Sequence, residues 1–167
     1  VNWFSAMDAQ FAWAVNISNI GSKISYSGTN IEKDFIPTNL RIGPRLTLEL
    51  DDYNTLSFQV DINKLLVPTP PIYSDSTNPD GTYIIEKGMD PNVGTIKGMI
   101  QSWYDAPGGF SEEMREFSFA IGTEYWYTDV LALRGGFFYE DLTKGNRKYA
   151  TLGSGLRYNV FGLDFSY

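Results

Sequence analysis

Residues 118–141 read SFAIGTEYWYTDVLALRGGFFYED. Apolar residues stand at every second position: Phe119, Ile121, Tyr125 and Tyr127 before Thr128-Asp129, and Leu131, Leu133, Phe137 and Tyr139 after it. Successive side chains of an extended strand point to opposite faces, so each half has one greasy face. The other face carries Ser118, Ala120, Gly122, Glu124, Trp126, Arg134 and Glu140. Two such runs joined by a two-residue polar stop predict an antiparallel hairpin.

The same period extends outward along most of the chain. Phe11, Trp13, Val15 and Ile17 share a face, as do Leu40, Ile42, Pro44, Leu46, Leu48 and Leu50. Leu56, Phe58, Val60 and Ile62 follow, then Phe117 to Tyr127, Leu131 to Tyr139, Leu152 to Tyr158, and Phe161 to Tyr167. The pattern predicts an all-β chain of about seven strands, most of them near the roughly 9–11 residues that cross a bilayer. Apolar residues shift parity beyond Ile17, to Ile24 and Tyr26, which predicts a β-bulge at Asn19-Ile20-Gly21, with Gly21 supplying unusual dihedrals. Pro44 has no amide hydrogen to donate, so a second irregularity is expected near it.

The connections alternate too. Asp51–Asn54, Thr128-Asp129 and Asn159-Val160 read as tight turns, and Gly28–Asn39, Leu65–Arg115 and Leu142–Lys148 as longer loops. If every strand reverses direction, the tight turns fall at one end and the long loops at the other. Outer-membrane β-barrels have that asymmetry, with short periplasmic turns and long outside loops.

A soluble β-sandwich, such as a carbohydrate-binding module, also alternates. Three features favour lipid. The apolar faces of the predicted strands hold no charge. The seven lysines, 23, 33, 64, 87, 97, 144 and 148, fall in loops or at strand ends. Trp13, Tyr26, Tyr125, Tyr127, Tyr139, Tyr158 and Phe161 gather where strands end, as in the aromatic girdles of membrane proteins. Seven strands do not close a bacterial barrel, and an open edge in hydrocarbon is costly. A portion of a larger transmembrane antiparallel barrel is therefore expected, residues 1–167 forming one partial domain with a long extracellular insertion at about 66–115.

Composition narrows the chemistry. The chain has 167 residues, no Cys, no His and a net charge of −7. That removes thiolate and imidazole chemistry and argues against nucleic acid as a partner. No apolar run is long enough for a transmembrane helix. Asp51-Asp52, Glu112-Glu113 and Glu140-Asp141 are adjacent carboxylates, which point apart in a strand or are solvated in a loop, so no catalytic residue is expected. Asp75–Gly81 reads as a turn rather than a calcium loop. No cofactor or metal is expected.

Two sets of residues carry the functional expectations. Arg41, Arg45, Glu49, Asp61, Glu124, Arg134, Arg157 and Asp164 lie on the polar faces and are expected to pair as a lumen network. In the long loop, Val67–Pro71 should be extended and stiff. Val93–Tyr104 predicts a short helix with Ile96, Met99, Ile100 and Trp103 on one side. Ile72, Tyr73, Tyr83, Ile84, Ile85, Met99, Ile100, Trp103, Tyr104 and Phe110 are too many apolar residues for a solvated loop. Packing on the barrel mouth and docking a partner both account for them.

NISNIGSKISYSG (16–28), FIPTNLRIG (35–43), DINKLLVPTPP (61–71) and GTEYWYTDVLALRGGFFYED (122–141) together resemble PorV, an outer-membrane barrel family of the type IX secretion system within the wider FadL-like group. The resemblance implies a barrel of about 14 strands, of which this chain is about the C-terminal half. It implies a bacterial outer-membrane location with long loops extracellular, and a non-catalytic role. Such proteins bind the C-terminal signal domain of secreted cargo, associate with the SprA/Sov translocon, and deliver cargo to the surface attachment complex containing the PorU sortase. The alternative is a FadL-type transporter of hydrophobic small molecules, against which the polar inward faces weigh.

Overall fold

The computed structural model describes residues 8–25 and 33–167. Its elements run β1 (Asp8–Ser18), β2 (Asn39–Asp51), β3 (Asn54–Leu65), β4 (Ile72–Thr77), β5 (Tyr83–Lys87), α1 (Thr95–Gln101), α2 (Phe110–Arg115), β6 (Phe117–Tyr127), β7 (Leu131–Tyr139), β8 (Lys148–Tyr158) and β9 (Phe161–Ser166). Seven strands form one sheet in the order β1-β2-β3-β6-β7-β8-β9, and β4 pairs with β5 in a separate ribbon. The expected strands are those of the large sheet. It is not closed: β1 and β9 are its edges. The architecture is all-β and consistent with part of a β-barrel.

Register confirms which residues share a face. Phe119 pairs with Tyr139, Ile121 with Phe137, Tyr125 with Leu133 and Tyr127 with Leu131. The apolar row continues through Leu131 opposite Leu156 and Leu156 opposite Leu163. The alternate pairs are Glu124 with Arg134, Arg134 with Gly153, and Gly155 with Asp164.

Burial is inside-out. Among the described residues the buried hydrophobics are Leu66, Ala106 and Ala132, while Lys64, Gln101, Thr38, Asp105 and Ser102 are the largest fully buried side chains. Trp13 is 70% exposed, Leu152 70% and Phe165 64%. A water-soluble sandwich buries such residues between two sheets. A single sheet that leaves its large apolar side chains outside matches a hydrocarbon solvent instead.

The tight turns are chemically specified. Asp51 Oδ1 accepts from Tyr53 N at 2.8 Å and from Asn54 Nδ2 at 2.7 Å, closing the β2–β3 turn. Thr128, Asp129 and Asn159 take left-handed φ of 53°, 57° and 52°. Consecutive left-handed residues match the right-handed twist of the strands in a hairpin turn. Thr128 N donates to Tyr53 O and Arg157 N to Val130 O, both at 2.7 Å, so the three turn regions lie side by side at one end of the strands.

The chain divides into two compact units. One holds the described residues up to Val15, with Ile42–Ile62 and Ser118–Tyr167; the other holds those of Asn16–Arg41 together with Asn63–Phe117. In the second, β1 ends at Ser18 rather than running through a bulge. Asn19, not Gly21, takes the left-handed φ, 58°. What Gly21 supplies is space: a Cβ there would lie 2.7 Å from Ile36 Cδ1. Ile24 sits in an isolated bridge to Asp34, and Tyr26 falls outside the described residues. β2 continues through Pro44 without interruption.

The long loop is built rather than slack, with the β4–β5 ribbon, α1 and α2 inside it. Helix α1 forms where expected, and its small and polar side is the one that packs. Gly98 packs at Phe35 and Pro68, where a Cβ would come within 2.6 Å of the Phe35 ring. Gly98 and Gln101 are buried, whereas Ile96 and Ile100 are 64% and 59% exposed. The packing partners are a ring and a proline in close approach, which favours the glycine side over the bulky side.

A β-branched residue is strained at left-handed φ, and asparagine is tolerated there. Thr128→Asn keeps the amide that binds Tyr53 and should stabilise the hairpin by about 1 kcal/mol. A rise in the urea midpoint of the detergent-folded protein, with unchanged slope, is the expected result.

Candidate functional site

On the polar face of the first unit, charges from five strands join in one chain. Arg45 Nη2 on β2 contacts Glu124 Oε1 on β6 at 3.0 Å. Glu124 Oε2 accepts from Arg134 Nε on β7 at 2.6 Å, and Arg134 Nη1 reaches Asp164 Oδ1 on β9 at 2.8 Å. Asp164 Oδ2 accepts from Arg157 Nη2 on β8 at 2.7 Å. Trp126 lies under both Arg134 and Arg157, whose guanidinium carbons are 5.5 and 5.7 Å from its ring centroid. Arginine suits this arrangement because its planar fork serves two carboxylates and stacks on an aromatic face at once.

Of the eight polar-face residues singled out from sequence, five belong to this chain. Arg41 Nε instead donates to Asn63 Oδ1 at 2.8 Å, in the second unit. Asp61 Oδ1 accepts from Gln59 Nε2 at 3.1 Å, and a Cβ on Gly43 would overlap that same oxygen. Glu49 stands outside the chain. Beside the ion pairs runs an open groove of about 420 Å³, with Gln59 and Asp61 on one side, Phe138 and Tyr149 on the other, and Gly122 and Gly136 between them. Phe138 and Tyr149 stack at 5.1 Å, so the polar face is not uniformly polar.

The second unit contains a cluster that the alternation did not reveal. Strand β3 extends to Leu65, which puts Lys64 at the parity of Leu56, Phe58, Val60 and Ile62. The expectation of charge-free apolar faces fails here, and also at Lys148, the first residue of β8, which pairs with Tyr139. Lys64 is 2% exposed, and its Nζ pairs with Glu113 Oε2 at 3.2 Å and Glu116 Oε2 at 2.8 Å. The rings of Trp103 and Phe117 lie 5.7 and 5.1 Å from the ammonium and 6.2 Å from each other. Glu116 Oε1 accepts from Thr69 Oγ1 at 2.6 Å, and Thr69 N donates to Asp105 Oδ2 at 3.1 Å. Glu113 Oε1 accepts from Ala106 N at 2.8 Å. Burial without pairing would be prohibitive for any of these charges; paired, they pin the Pro-rich strap to both helices. The signal in the sequence was a lysine at an apolar-parity position. Its acidic partners lie 49 and 52 residues away, beyond any local pattern.

The loop residues singled out from sequence all belong to this unit. Ile72, Tyr73, Tyr83, Ile84, Ile100, Trp103, Tyr104 and Phe110 are exposed, Phe110 at 79%, while Ile85 and Met99 are half-buried. Tyr73 and Tyr83 face each other across the β4–β5 ribbon, ring centroids 6.2 Å apart. Ile96 and Met114 are exposed as well and extend the apolar surface beside both helices.

The carboxylate pairs have structural partners. Glu112 Oε2 accepts from Gly108 N at 2.7 Å, ahead of α2. Glu140 forms a two-pronged pair with Arg147, both contacts 2.8 Å, which closes the loop between β7 and β8. The hydrogen bonds from Arg147 hold the Glu140 carboxyl below its ordinary value. Asp80 Oδ1 accepts from Thr82 N and Oγ1 at 3.0 and 2.7 Å, so the ribbon turns at 78–82, while Asp75 to Thr77 end β4.

The family model of the type IX secretion system protein PorV matches residues 2–72, under half of the chain. Comparison with curated proteins gives no match.

Two substitutions separate the sites. Lys64→Met leaves Glu113 and Glu116 buried without their cation and should cost about 3–5 kcal/mol; protease cleavage within 66–116 should rise steeply while the large sheet survives. Arg134→Met removes the one arginine that joins two carboxylates of the chain and should cost about 1 kcal/mol, more than Arg45→Met or Arg157→Met, in detergent unfolding.

Proposed function

We propose that this chain is part of a non-catalytic outer-membrane barrel that carries secreted protein through the type IX system. In this reading residues 1–167 are one partial barrel domain, the insertion at about 66–115 is extracellular, and the barrel's interior lies on the side of the arginine–carboxylate chain. The exposed apolar surface of the insertion docks protein partners: the C-terminal signal domain of cargo, the SprA/Sov translocon and the PorU-type sortase complex. The observation that carries the proposal is the orientation of α1. Its polar and small side is packed, and Ile96, Ile100 and Trp103 are presented outward. Exposed aliphatic and aromatic side chains are what the centre of a protein interface uses.

A FadL-type transporter needs a continuous apolar path. The ion-pair chain through Arg45, Glu124, Arg134, Asp164 and Arg157 interrupts the polar face with five charges, which supports the protein-binding reading over it.

Ile100→Asp combined with Phe110→Asp changes two exposed side chains and leaves the buried cluster intact. The variant should still insert in the outer membrane and show heat-modifiable migration, while co-purification with the translocon drops at least about tenfold, as for loss of a binding hot spot. Undiminished co-purification overturns the assignment of the insertion as the docking surface.

A further inference from the structure

The buried cluster of the second unit has more acid than base. Among the described residues Lys64 pairs with Glu113 and Glu116, and Asp105 has no ion pair. Asp105 is 1% exposed. Its Oδ2 accepts from Thr69 N at 3.1 Å and, weakly, from Gln101 Nε2 at 3.4 Å. Its Oδ1 is buried with no hydrogen-bond partner at all. The segment after β5 approaches it as well, since a Cβ on Gly88 would lie 3.2 Å from the Asp105 carbonyl oxygen, but the neighbouring Glu86 and Lys87 are exposed. The strap from Leu66 to Pro71 brings no charge. Helix α1 brings Gln101, whose other hydrogen bond goes to Asp90 O at 3.0 Å. Asp90's own carboxylate is turned to Asn92 N at 2.8 Å. Helix α2 and the residue after it bring the two glutamates.

An ionised carboxylate with an unsolvated oxygen, beside two further carboxylates, is among the least favourable arrangements a protein interior can hold. A protonated one is a neutral polar group that keeps its acceptor bonds at Oδ2. We propose that Asp105 binds a proton at neutral pH and that this proton is a structural part of the insertion, whose loss loosens the strap at Thr69 and the segment joining α1 to α2. Burial, and then repulsion by Glu113 and Glu116, push the Asp105 carboxyl up from its ordinary value, against the hydrogen bonds from Thr69 and Gln101.

The sign of the pH dependence follows. The fold favours the neutral acid, so its contribution is complete below the unfolded-state pKa and is lost as pH rises through the raised folded-state value. Within that window local opening grows about tenfold per pH unit, then levels off. This is opposite to ordinary acid unfolding, in which carboxylates lose stability on protonation.

The test uses the whole chain folded in detergent or bilayers. Hydrogen exchange of peptides covering 64–71 and 101–116, corrected for intrinsic rates, is followed with rising pH, in the native protein and in Asp105→Asn. Native protection should fall as pH rises. The variant, which keeps the acceptor for Thr69 and needs no proton, should be flat and the better protected of the two at the alkaline end. Infrared spectra with carboxyl-labelled aspartate should show a protonated acid at neutral pH that titrates away on alkalinisation and is missing from Asp105→Asn. Native protection that is constant or increases with pH overturns the proposal, as does absence of the protonated band at neutral pH. The infrared titration of the unsubstituted protein decides the matter even if Asp105→Asn does not fold.

Discussion

Backbone hydrogen bonding without water is the constraint on which this structure rests. In hydrocarbon an unpaired amide or carbonyl has nothing to bond to, and only helices and closed strand ladders satisfy every group. Among the described residues no helix is long and apolar enough to cross a membrane. The ladder through β6, β7, β8 and β9 pairs residue by residue, and the turns at Tyr53, Thr128, Val130 and Arg157 exchange backbone hydrogen bonds with each other. Once the ladder is fixed, alternation follows: each strand gives one set of side chains to each face. The leucines and phenylalanines left outside the sheet are what that geometry produces when the outer solvent is apolar.

The polar side obeys the complementary rule. Polar groups held against a sheet must find partners, and here arginine supplies them. The chain from Arg45 to Arg157 alternates sign, places each carboxylate between two guanidiniums, and stacks Trp126 under two of them. Lysine offers neither the fork nor the flat face, which explains why it is missing from this row. The second unit solves the same problem with a lysine, but in a dry pocket where two glutamates and two aromatic rings surround a compact charge.

The contrast between the two sites explains what the sequence made legible. Glu124 and Arg134 were visible because they sit opposite each other in a hairpin only a short turn apart, and the period of two placed both on one face. Lys64, Thr69, Asp105, Glu113 and Glu116 were not. Their union depends on how a strap and two short helices fold over a strand end, and no periodicity spans that distance. Helix α1 shows the same limit at smaller scale. Its existence was legible in VGTIKGMIQSWY, but which side packs was decided by Gly98 fitting against Phe35 and Pro68. The parity change after Ile17 was also misleading, because a left-handed Asn19 ends the strand instead of bulging it.

The sequence by itself determined the strands of the large sheet, their faces, the hairpin turns and the apolar outer surface, because all four follow from a local period and from turn residues with restricted dihedrals; the β4–β5 ribbon it did not reveal. The PorV-like segments likewise belong to the sequence. Tertiary structure alone decided the order of ion pairs across β2, β6, β7, β8 and β9, the outward face of α1, and the burial of one lysine among three acids. Those depend on three-dimensional distances and on competition for desolvated space, and a one-dimensional pattern encodes neither.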